Sequence, residues 1–456
     1  MNNSMVTVLL APVREEFTAS VAEVGWVVTG FSLAFAVCTA FFGRVSDVAG
    51  IRGVFSAGLV VFVAGSLVAA LAGTLPVLVA ARVMQGVGAA AIPALAAVTV
   101  ARVLPVGRRG LAFGMLTSGV GVGQALGPVL GGVAAELADW RTPFVGTAVL
   151  TLPLLVGALR TLPGPAADRT GRWRDLDALG GVLLGSAAAL LLVGVTQVQA
   201  VGLGGPSAWG SVLAAALLAV AFAARIRAAV HPFAAPSLFT NSGFMSAAAV
   251  GFLTLFGFLA TIVLVPQLTS AVNGLSSGQV GLVLTPSALA VATLSAAAGR
   301  MSDRIGPRML ALSGIASLAG AALLLSTVAG GPVWVVATGL FGTGVGLALV
   351  ISPATNAAAN ALPLSQSGVG LGLYQGAIFL GAGSGAAVVS AVVTARDGAA
   401  GAWNPLHAGP AVNFSDGFLV VVGVLLVALL LATRLPGRPS RGASPAEEVT
   451  PVPPCS

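Results

Sequence analysis

Lysine is missing from this chain of 456 residues: all 21 basic residues are arginine. We read that as the codon habit of a GC-rich genome rather than as chemistry. Charge of either sign is scarce, at 8% of residues, where soluble globular chains carry about 25%. That deficit excludes a compact water-soluble body. Cysteine occurs twice, at Cys38 and Cys455, and histidine twice, at His231 and His407. Spaced so far apart, they make neither a disulfide framework nor a metal cluster. There is no nucleophile–base set and no phosphate-binding loop, so neither an enzyme nor an ATP-driven pump is expected, and no cofactor or metal. The net charge of +7 is scattered in ones to fours, without the clustered basic face that nucleic acid requires. Strict polar–apolar alternation is also lacking, which excludes a membrane β-barrel.

What is present is apolar length. Hydrophobic residues make up 57% of the chain, glycine numbers 61, and the mean hydropathy is +1.01. A bilayer-spanning helix needs about 20 mainly apolar residues. Thirteen runs qualify, from 24–43 to 417–433, and a shorter one, Ser4–Val13, precedes them. We take the short run as a fourteenth helix whose beginning is cut off, with ten to fifteen further apolar residues expected upstream of Met1. Fourteen spans with both termini inside put 17 of the 21 arginines in cytoplasmic loops, as the positive-inside rule demands. Arg82 falls inside a span.

One segment repeats. Residues 43–52 read GRVSDVAGIR and residues 299–308 read GRMSDRIGPR. Eight spans separate the copies where two six-helix halves would give six, so an extra pair, helices 7 and 8, is expected between the halves. The expected organisation is a six-helix half at 1–160 with a partial first helix, a cytoplasmic linker and two inserted helices at 161–240, a second six-helix half at 241–434, and a disordered cytoplasmic tail at 435–456. Parallel repeats of this kind build secondary transporters whose binding site lies between the halves.

The repeated loop supplies Gly43, Arg44, Asp47, Gly50 and Arg52 in one copy and Asp303 and Arg304 in the other. Its glycines suit a tight turn. Its aspartate, read as lying at a helix start, can pair with arginines of the opposite half and latch one access state. Residues 78–95 read LVAARVMQGVGAAAIPAL, with Arg82, Gln85 and Gly86 together. A charge within the membrane is a functional candidate by default. Residues 114–132 read GMLTSGVGVGQALGPVLGG. They carry Gly123, Gln124, Gly127, Pro128, Gly131 and Gly132, and the four-residue spacing from Gly119 to Gly131 predicts one flat face for helix packing.

These segments resemble three signatures of the major facilitator superfamily: the loop between helices 2 and 3, the Arg…Q-G-x-G-a-a of the fourth helix, and the G-P-x-x-G-G of the fifth, which marks exporting antiporters. From Trp26 to Gly132 the chain resembles the fourteen-helix drug:proton antiporters, in particular the tetracycline exporters of Gram-positive bacteria. The resemblance implies an all-α polytopic membrane protein with two six-helix halves plus two central helices. It implies alternating-access export of hydrophobic or amphipathic molecules driven by the proton gradient, in a bacterial cytoplasmic membrane. The expected partners are a small-molecule substrate and lipid, with a monomeric chain and no nucleic acid. The fifth-helix glutamate of the tetracycline exporters is replaced here by Gln124, and none of the fourteen acidic residues falls near the centre of a span. Candidate cavity residues are therefore neutral: Asn3, Trp26, Gln85, Gln124, Tyr374 and Gln375. An uncoupled or metabolite-specific facilitator, or a truncated non-transporting paralogue, are the competing readings.

Overall fold

The computed structural model of the chain describes residues 2–137, 139–162, 176–201 and 206–437. Among the described residues every regular element is a helix. The first set comprises α1 (Asn2–Glu16), α2 (Val21–Ala49), α3 (Ile51–Ala70), α4 (Leu75–Val103), α5 (Val106–Leu137) and α6 (Thr142–Thr161). There follow α7 (Ala178–Val201), α8 (Pro206–Ala228) and the single turn α9 (Pro236–Thr240). The later set comprises α10 (Ser242–Ala271), α11 (Ser277–Ile305), α12 (Pro307–Thr327), α13 (Val333–Asn360), α14 (Ser367–Ala395) and α15 (Val412–Ala432).

Twelve of these helices are long and apolar enough to cross a membrane. α5, with 32 residues, has the length as well. α1, with 15, rises only about 22 Å against a hydrocarbon core of about 30 Å. Large apolar side chains cover the outside: Leu213 and Leu217 of α8 are each 62% exposed. That surface is intelligible only if lipid covers it.

The internal repeat extends beyond the loop seen in sequence. Ser20 and Glu23 form a reciprocal capping box at the start of α2, and Ser276 and Gln279 form the same box at the start of α11. Each box satisfies two backbone N–H groups left over at a helix start. The far ends match too: Gly50 has φ 83° and Gly306 has φ 89°, values that glycine adopts without steric penalty. Each glycine turns one helix directly into the next.

This corrects the reading of the repeat as loops. Residues 43–49 and 299–305 are the last turns of α2 and α11. The apolar run at 24–43 underestimates α2 because helix continues past the hydrocarbon into the arginine-rich end. The sequence cue for a loop was polarity, and polarity there marks depth, not backbone conformation. Of the expected tail at 435–456, residues 438–456 lie outside the described residues, as do the linker residues 163–175.

Candidate functional site

Asp47 stands one turn from the C-terminal end of α2, where its own helix dipole disfavours a negative charge. It is nevertheless 1% exposed, so its surroundings must compensate. Arg102, from the last turn of α4, donates from Nη2 to Asp47 Oδ1 at 2.6 Å, and Arg44 Nη1 lies 4.0 Å from Oδ2. Val369 donates its backbone N–H to Oδ2 at 3.2 Å. Val369 is in the first turn of α14, so Asp47 caps a helix start belonging to the other set. Arg102 reaches the same place, donating from Nε to Ser367 Oγ at 3.1 Å. The expected aspartate–arginine pair across the halves is thus corrected. The arginine at 2.6 Å comes from Asp47's own set, and the described contacts across the sets are a backbone N–H and a serine hydroxyl.

Asp303 does the equivalent at the end of α11. Its two carboxylate oxygens accept the backbone N–H groups of Gly110 at 2.8 Å and Leu111 at 3.0 Å, in the opening turns of α5. Its side-chain donor is an amide, Asn356 Nδ2 at 3.3 Å. The arginine of this second contact sits on the other partner: Arg109 Nη1 donates to Asn360 Oδ1 at 2.9 Å. Arg109 also donates to the carbonyls of Leu104 and Ala101, closing the C-terminal end of α4. The contact at Asp47 is therefore charge-assisted and the one at Asp303 is held by neutral donors, with a cavity of about 320 Å³ opening beside Asp303. Arg304 is exposed and Arg52 half-buried.

Glycines let the two sets approach this closely. A Cβ on Gly43 would strike the Gly368 carbonyl and come within 2.8 Å of Gly372 Cα. On the other seam a Cβ on Gly110 or Gly114 would run into the α11 backbone at Gly299 or Ser295, and one on Gly121 would lie 2.7 Å from Ala292 N. The packing face of α5 is thus Gly110, Gly114 and Gly121. The predicted stripe from Gly119 to Gly131 points elsewhere: Gly119 has open space beside it, and Gly131 receives Met5 of α1. The four-residue spacing drifts around a 3.6-residue helix, so it does not stay on one seam. Both seams are closed from the arginine-rich end to mid-membrane, where Phe35 and Phe379 meet edge-on with centroids 4.6 Å apart.

Arg82 is fully buried. Its Nε donates to the Val27 carbonyl of α2 at 3.0 Å, and its Nη1 donates to Gln85 Oε1 at 2.7 Å. Gln85 Nε2 in turn donates to Ser66 Oγ of α3 at 2.7 Å. The guanidinium carbon lies 4.3 Å from the centroid of the Phe31 ring, within cation–π range. Gly86 allows this, since a Cβ there would collide with the Phe31 carbonyl. The guanidinium ties α2, α3 and α4 together and does not snorkel to the interface. Gln85 is corrected accordingly: it is fully buried with both ends of its amide bonded, so it positions Arg82 and does not line a cavity.

Tyr374 is corrected as well. It is fully buried and its hydroxyl accepts from Thr355 at 3.2 Å. Trp26 is 50% exposed and lies in a groove of about 710 Å³ with Glu23, Pro76 and Val79, at the end remote from Asp47. Gln124, Gly123 and Gly132 of α5 and Gln375 of α14 are half-buried, and Gly127 is buried. The side chains of Asn3 and Pro128 lie outside the described residues. Sequence reading missed Arg102, Arg109, Asn356 and Asn360. A signal for them existed: Asn360 follows Arg102 by nearly the offset of the repeat.

At the end remote from Asp47 and Asp303, Glu16 closes α1 onto the turn before α6. Arg141 Nη2 donates to Glu16 Oε1 at 2.6 Å, and the Trp140 indole donates to Glu16 Oε2. The Glu16 hydrogen bond raises the Arg141 guanidinium above its ordinary range.

The family model for the Major Facilitator Superfamily matches residues 1–263 and 247–454. The chain is 37% identical over 297 residues to the cephamycin export protein CmcT of Amycolatopsis lactamdurans, an alignment covering 63% of this chain and 60% of that protein. It is 28% identical to the tetracenomycin C resistance and export protein of Streptomyces glaucescens, over 87% of this chain and 74% of that one. The human organic anion transporter MFSD10 shares the fold, with a TM-score of 0.65 at 20% identity over 90% of this chain and 83% of that one. All-helical, multi-span and matched over nearly its whole length, the chain belongs to the Major Facilitator Superfamily.

Proposed function

We propose that this protein is a secondary-active exporter of hydrophobic or amphipathic small molecules, working by alternating access and proton antiport in a bacterial cytoplasmic membrane. The two moving bodies are α1–α6 and α10–α15, with boundaries at 1–160 and 241–434 and the segment 161–240 inserted between them. The arginine-rich end is the cytoplasmic one, by the positive-inside rule, so both termini are cytoplasmic. The chain acts as a monomer on substrate and lipid alone, with no cofactor, no metal and no nucleic acid.

One observation carries the reading: reciprocal latches, with Asp47 capping α14 and Asp303 capping α5, both at the same end. Contacts that bridge two bodies at one end favour the state closed there and must break in the other state. The side chains making them are a bistable element of the kind alternating access needs. The relatives that export cephamycin and tetracenomycin support outward transport of a natural-product-like molecule. Asp47 supports proton coupling, because a proton added to its carboxylate removes the charge that holds Arg102 and the first turn of α14.

The lack of a carboxylate at mid-span favours one rival, an uncoupled facilitator. Efflux from proteoliposomes under an imposed pH gradient, with and without an ionophore, separates the two. Antiport is expected to lose net efflux when the gradient collapses, and unchanged efflux selects the facilitator.

A further inference from the structure

We propose that α7 and α8 form a strap that travels with α10–α15 and slides across α2 as the two bodies rock. The inference rests on the alternating-access reading above. α7 lies over the α2–α14 seam and touches both helices.

Toward α14, Leu192 fills the space left by the missing side chain of Gly383, where a Cβ would lie 2.7 Å from Leu192 Cδ2. Toward α2 the roles are exchanged: a Cβ on Gly185 would lie 2.9 Å from Val37 Cγ1, and one on Gly181 would lie 3.3 Å from Phe41 Cδ2. Both contacts are apolar, and among the described contacts neither carries a directional bond that ties the strap to one helix.

What separates the two sides is the covalent and polar attachments, which among the described contacts run to the later set. Asp177, just before α7, pairs with Arg225 at the end of α8 at 3.1 Å and accepts the Phe233 N–H at 3.3 Å. Phe222 of α8 meets Phe239 of α9 edge-on at 6.3 Å. From there Asn241 Nδ2 donates to the Ala361 carbonyl at 2.7 Å, and Gln366 Nε2 reaches Ser237 Oγ at 3.5 Å. This chain of contacts joins the arginine-rich end of the strap to the ends of α13 and α14. A strap fixed in this way covers one lateral seam in every access state and leaves the α5–α11 seam bare to lipid.

Electron–electron distance measurements on spin labels test this without a known substrate. Labels replace exposed residues in a Cys38→Ser, Cys455→Ser background: Leu213→Cys on α8, Val388→Cys on α14 and Trp26→Cys on α2. Asp47→Asn, or Gly43→Leu if that variant folds poorly, shifts the population between states. The 26–388 distance reports rocking; if it stays fixed in both variants, the alternating-access reading fails. If it moves, the 213–388 distance is expected to hold while the 213–26 distance shifts with it. A fixed 213–26 distance with a moving 213–388 distance assigns the strap to the other body and overturns the proposal. Movement of both overturns it as well.

Discussion

Asp47 and Asp303 stand at the same place in two helix ends 256 residues apart, and each holds the opening turn of a helix from the other set. The symmetry is broken in the supporting charge. Asp47 is paired with Arg102 at 2.6 Å, whereas Asp303 receives only neutral donors among the described contacts. Four consequences are open to measurement.

Asp47→Asn is expected to leave folding and insertion intact and to weaken the closed arginine-rich end. A hydrogen bond to a charged group contributes about 1.5–3 kcal/mol, so the closed population falls by roughly 10- to 100-fold at about 1.4 kcal/mol per decade. Asp303→Asn is expected to do less, because an amide oxygen still accepts one of the two N–H groups and no arginine on the aspartate is lost. Thiol accessibility at Ser295→Cys on the seam, in membranes, reads both. Equal effects of the two variants would contradict the asymmetry.

Arg82→Lys is expected to fail nearly as badly as Arg82→Ala. The guanidinium donates from two separate nitrogens to α2 and to Gln85, and an ammonium on a flexible stem does not reproduce that fork. Gln85→Leu removes one hydrogen bond to the buried charge and is expected to cost about 1.5–3 kcal/mol. Thermal stability in detergent and efflux measured side by side test this. A Lys variant with near-normal stability would show that charge alone suffices.

Gly110→Val and Gly119→Val are expected to differ sharply although they share one helix. The first places carbon against the Gly299 backbone of α11, and the second enters open space. Gly110→Val should raise labelling of Ser295→Cys, while Gly119→Val leaves it unchanged. Matching phenotypes would remove the seam assignment.

Asp177→Asn probes the anchor of α7 through pH. Burial alone would raise this carboxyl, but the Gly180 N–H, the Arg225 guanidinium and the Phe233 N–H outweigh it and hold it below the ordinary carboxylate range. A group depressed in the folded state adds stability above its unfolded value, about 3.9, and loses it as pH falls through the folded value. The wild-type advantage over Asp177→Asn is therefore expected at pH 7, should begin to decline below about pH 4, and should vanish only once the pH falls beneath the lower folded value. Melting curves across that range give the answer; an advantage that persists in acid would point to packing instead.

The sequence by itself determined the solvent, the helical class and the two aspartates that the repeat places at equivalent positions. Those follow from composition, from the ~20-residue length that a bilayer imposes and from duplication of one motif. It also marked Arg82, because a charge in an apolar run is costly enough to stand out. It did not determine what these residues touch. Asp47 meets Val369 across 322 positions and Arg109 meets Asn360 across 251, and no local pattern encodes a partner so distant. The α5 glycine stripe misled because a four-residue spacing drifts around a 3.6-residue helix, and only packing shows which glycines meet a neighbour. Gln85 and Tyr374 looked like cavity residues because polarity inside a span is rare. The tertiary structure shows that their polar atoms are met by Arg82, Ser66 and Thr355, since a buried hydrogen-bonding group in a membrane protein must find its partner within the protein.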